Sequence, residues 1–122
     1  MGKYVVLYRA PLGVAERFAQ ATLEEALAGM QLWVDWAQRI GLGLVYPGKP
    51  LGNAVKVTAS GSSPTESNVI GMSILQADSM DAALVMVKDH HHLDWAEGCE
   101  IVVLEELPLP EMAATQGSDE AA

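Results

Sequence analysis

All three histidines of this chain stand side by side, His90-His91-His92, followed closely by Asp94. An imidazole beside a carboxylate suits proton transfer at neutral pH, because the carboxylate fixes the ring tautomer and raises its basicity. His92, His90 and Asp94 are therefore the candidate catalytic residues. Two plainer explanations fit the same residues. Imidazoles are favoured at the negative end of a helix dipole, so the segment could serve only to terminate a helix. His90 and His92 could also chelate a metal with Glu97, Cys99 or Glu100. No second His or Cys cluster exists, however, and the spacing matches no closed zinc pattern, so no metal site is expected.

Other chemistry is sparse. Cys99 lies between Glu97 and Glu100, acids that raise a thiol pKa and so work against a nucleophile. The hydroxyls of Ser60 to Ser63 belong to no Gly-x-Ser-x-Gly elbow. There is neither a phosphate loop nor a dinucleotide fingerprint, and no cofactor is expected.

The elements that must position these groups follow from pattern. Residues 3–9 (KYVVLYR) are β-branched and aromatic and stop at Ala10-Pro11, which predicts a strand. Thr22-Leu23-Glu24-Glu25 is a capping box, and a helix runs from it to Gly41. At 100° per residue Leu23, Ala26, Leu27, Met30, Trp33, Val34 and Ala37 share a broad apolar face, which should be the buried one. Leu32 and Trp36 then fall on the wet side as an apolar stripe. Val45-Tyr46 is a short extended piece, residues 54–59 (AVKVTA) alternate as a strand, and 61–68 (GSSPTESN) read as a hairpin loop. Residues 69–77 (VIGMSILQA) form the next strand. Asp78 or Ser79 caps a second helix to about His90, with Met80, Leu84 and Val87 inward. Residues 100–107 (EIVVLEEL) form the last strand, stopped by Pro108. Residues 1–110 thus make one domain, and 111–122 read as a disordered acidic tail.

Strand, helix, strand, strand, helix, strand is the ferredoxin-like βαββαβ plan, an α+β fold with a four-stranded antiparallel sheet and both helices on one face. The strands are apolar on both faces: Tyr4, Val6 and Tyr8 are opposed by Val5 and Leu7, and Ile101 and Val103 by Val102 and Leu104. Two helices cover only one side, so a second copy of the sheet should cover the other, giving a homodimer. The topology also brings the histidines to the rim where the first strand ends. There Tyr8 and Arg9 become candidate substrate-binding residues, with Arg9 as a clamp for a carboxylate or enolate. A strand-end charge reaching water explains Arg9 equally well.

Seven basic and sixteen acidic residues give a net charge of −9, which repels nucleic-acid backbones and anionic membrane surfaces alike. A single cysteine cannot form an internal disulfide, so a cytoplasmic location is expected. No apolar run is long enough for a membrane span, and no signal peptide is read in Met1-Gly2-Lys3.

From Ile74 onward, ILQADSMDAALVMVKDHHHLDW followed by GCEIVVLEELPLP resembles the YCII-related group of dimeric α/β-barrel proteins, as does the turn Gly48-Lys49-Pro50-Leu51-Gly52. The resemblance covers about residues 3–110. It implies a barrel of two face-to-face sheets and little about chemistry, since most members of that group have no established activity. His90 and His92 keep the positions of the group's two histidines, and His91 stands where related chains often carry proline. Two functions are therefore carried forward. One is an enzyme moving a proton on a small carbonyl or enol compound; the other is a non-enzymatic dimeric binding or interaction module whose histidines are structural.

Overall fold

The computed structural model describes residues 1–109, and the predicted tail, 111–122, lies outside them. The elements are β1 (Gly2–Arg9), α1 (Leu12–Ala19), α2 (Leu23–Ile40), β2 (Leu44–Pro50), β3 (Val55–Thr58), β4 (Gly61–Pro64), β5 (Val69–Ala77), α3 (Met80–Val87) and β6 (Glu100–Glu105). Four of the strands form an antiparallel sheet in the order β2-β5-β1-β6, which is compatible with a ferredoxin-like plan. At its centre Val6 lies opposite Ser73 on one side and Val103 on the other.

Alternation along β1 and β5 puts Tyr4, Val6, Tyr8, Leu75 and Ala77 on one face. Trp36 of α2 and Ala83 and Val87 of α3 close over that same face to complete the core. The opposite face presents Val5, Leu7, Met72, Ile74, Val102 and Leu104, side chains matched by the strand register. No helix of the described chain covers them.

Local chemistry explains the boundaries. The Glu25 N–H donates to Thr22 Oγ1 at 3.1 Å and the Thr22 N–H to Glu25 Oε1 at 2.9 Å, which completes the predicted capping box. The Ala82 N–H donates to Ser79 Oγ at 3.1 Å and starts α3. The edge strand β2 tolerates Pro47 and Pro50 through two register shifts. Gly48 has φ 94°, and a Cβ there would fall onto the Met72 carbonyl.

Four expectations need correction. The sheet's second strand is β2, not residues 54–59. That segment pairs instead with 61–64, read as loop, in a separate two-stranded ribbon, because Thr58 Oγ1 bonds to Ser60 and to the Gly61 carbonyl and closes a tight turn. An additional helix, α1, precedes the capping box. The α2 helix is turned: Trp36 is 3% exposed, while Leu23, Leu27, Met30 and Val34 face outward. The helix meets the sheet through Trp33, Trp36 and Ile40, and the Trp36 indole donates to the Met86 carbonyl at 3.0 Å, so two indoles rather than the aliphatic stripe set its rotation. Finally, α3 ends at Val87 and turns Ala83 inward while Leu84 stays exposed.

The turned helix makes Trp36 and Leu32 opposites in energy. Trp36→Ala should cost about 3–5 kcal/mol in urea denaturation through the cavity it leaves. Leu32→Ala, on the exposed side, should stay within about 0.5 kcal/mol of the parent. Equal losses would place both residues in the same environment and contradict the observed rotation.

Candidate functional site

The histidine segment sits where β1 ends and β6 begins, as the predicted topology required. Beyond α3 the chain turns at Lys88-Asp89, and the His90 N–H donates to the Val87 carbonyl at 3.0 Å. His90 then takes extended backbone (φ −65°, ψ 138°), and His91–Asp94 form a short 3-10 turn. The imidazoles therefore lie past the helix instead of capping its last carbonyls.

His90 is fully buried, 0% exposed, in a box of rings. Its centroid is 4.5 Å from Trp36, 4.8 Å from Trp33, 5.0 Å from Tyr8 and 4.2 Å from His91, which stacks on it at 30°. His90 Nδ1 accepts the His92 N–H at 3.0 Å. The neutral ring accordingly carries its proton on Nε2, and Nε2 has no hydrogen-bond partner. The indole faces around it are the remaining acceptors, suited to a weak N–H···π contact. His91 Nε2 is likewise buried and unpartnered, with its ring at 4.8 Å from Trp33.

His92 is bound to the backbone. Its Nε2–H donates to the Arg9 carbonyl at 2.8 Å. Arg9 and Glu100 are register partners across β1 and β6, so this bond clips the segment before β6 to the end of β1.

These surroundings set the charge states. Burial pushes His90 down to about 3, and the neighbouring His91, His92 and Arg39 add to the shift. Burial also lowers His91 and His92, the latter against the opposing pull of the Arg9 and Glu100 backbone. A general acid or base works best with a pKa near the operating pH, and all three imidazoles are held on the neutral side.

The remaining predicted site residues do not converge on them. Asp94 is exposed and makes no bond to an imidazole; among the described residues the one ion pair is Arg9–Glu100, at 3.8 Å. The expected His-carboxylate pair is therefore not formed: the 3-10 turn sends Asp94 to solvent, and the backbone takes its place as the partner of His92. Arg9 serves the site through its carbonyl, while its half-exposed guanidinium reaches Glu100, an arrangement worth about 0–1 kcal/mol. Tyr8 is buried rather than presented at a rim. Its hydroxyl donates to Ser73 Oγ at 2.9 Å, and Ser73 donates to the Pro47 carbonyl at 2.8 Å, a relay across three strands. Burial pushes the Tyr8 phenol up, beyond titration at ordinary pH.

Sequence reading missed Trp33 and Trp36 as the walls of the histidine box. Their i, i+3, i+7 spacing with Ile40 was the available signal, overshadowed by the longer aliphatic stripe. Two of the surface grooves lie away from the histidines. The larger, about 460 Å³, is lined by Met1, Leu42, Gln76 and Met86 at the opposite end of the sheet, and neither groove touches a histidine, Tyr8 or Arg9. Among the described residues no three His, Cys, Asp or Glu side chains gather as a metal-ligand set. The Cys99 thiol is raised, chiefly by burial.

No family model and no curated protein sequence matches this chain, and the site stands on its own geometry. That geometry carries a pH dependence. His90 is neutral in the fold and has a depressed pKa, so its contribution to stability is complete above 6.5 and is lost progressively as pH falls toward about 3. His90→Phe removes the titrating group, so its unfolding free energy should fall less steeply than the parent's across that window. Parallel acid limbs in denaturation series would show that the imidazole is not shielded.

Proposed function

We propose that this chain is a homodimeric binding module, a ferredoxin-like barrel of the YCII-related type that works in the cytoplasm and takes a small-molecule ligand without catalysis. The observation that carries the reading is the uncovered sheet face. Val5, Leu7, Met72, Ile74, Val102 and Leu104 form one contiguous apolar surface in a chain of net charge −9. Monomers seldom expose such a patch beyond a few hundred Å². A two-fold axis parallel to the face, lying in the plane between two copies, would bury it against itself. The histidine clip supports the non-enzymatic half, since His92 is spent on backbone and Asp94 is elsewhere.

A second reading, proton transfer on a small carbonyl or enol compound, is favoured by one observation: His90 Nε2 is left without a partner in the box. NMR titration separates the two. The binding module expects no imidazole to titrate near 6.5, whereas a catalytic His90 requires a ring whose pKa moves when ligand binds.

For the dimer, light scattering should give an even multiple of the 13.0 kDa chain, and Leu7→Lys should halve it. A persistent monomer, or a mass that Leu7→Lys leaves unmoved, would refute the paired sheets.

A further inference from the structure

We draw no further inference here: the strongest candidate, the buried Nε2 atoms of His90 and His91 left unpartnered beside Trp33, belongs to the site already described, and neither of the two grooves reaches it.

Discussion

The ring of His90, enclosed by Trp33, Trp36 and Tyr8, is the contact on which the other features of this protein turn. It brings the middle of α2, the inner face of β1 and the segment after α3 to one point. The two indoles each carry a large apolar surface and, unlike the aliphatic side chains of the outer stripe, close over the His90 ring. The Trp36 N–H, given to the Met86 carbonyl, removes the remaining objection to burying that ring. Once Trp36 is inside, the rotation of α2 is settled, and Leu23, Leu27, Met30 and Val34 face outward as a consequence.

The same contact decides what the histidines do. Three adjacent imidazoles next to an acid suggest proton chemistry as long as the chain is imagined extended. Folded, each ring meets different surroundings. His92 reaches backward to the Arg9 carbonyl and ties β1 to the segment before β6. His90 uses Nδ1 to hold the His92 N–H and leaves Nε2 among aromatic faces. An unsatisfied buried donor costs about 1–3 kcal/mol relative to a paired one. The fold carries that cost for a closed aromatic box and a tight turn that no helix end could provide. An imidazole in such a place is kept neutral by desolvation, which makes it a poor base and a stable wall.

A sheet with one helix-covered face and a helix with one buried stripe leave partly exposed apolar surfaces on a small acidic chain. Net charge of −9 opposes random aggregation of these surfaces, because any contact must bring sixteen acidic residues per copy closer together. Only arrangements that bury much apolar area while keeping acids apart are favourable. The six side chains of the open sheet face, Val5, Leu7, Met72, Ile74, Val102 and Leu104, include no acid.

Much of the fold was legible in the residues. The alternation of β1 and β5, the capping box at Thr22 and the Ser79 cap each depend on groups within a few positions of one another, so local chemistry decides them. The two-faced apolarity of the strands was equally visible, because period-two alternation needs no knowledge of neighbours. Other features depended on partners far along the chain. Helical periodicity shows that α2 has apolar stripes but not which one the sheet takes, since that choice is a competition for area settled by residues fifty or more positions away. Val45 to Pro50 hid its strand behind two prolines that only an edge position tolerates. The ends of α3 and the roles of His90, His92 and Asp94 were decided by a carbonyl on β1 and rings on α2, which spacing along the chain cannot reveal. Sequence alone determined β1, the capped α2, β5, the Ser79 start of α3, β6 and the two apolar faces of the sheet; tertiary structure decided which strand completes the sheet and which side chains each segment buries, because burial is a property of pairs of segments and not of either one.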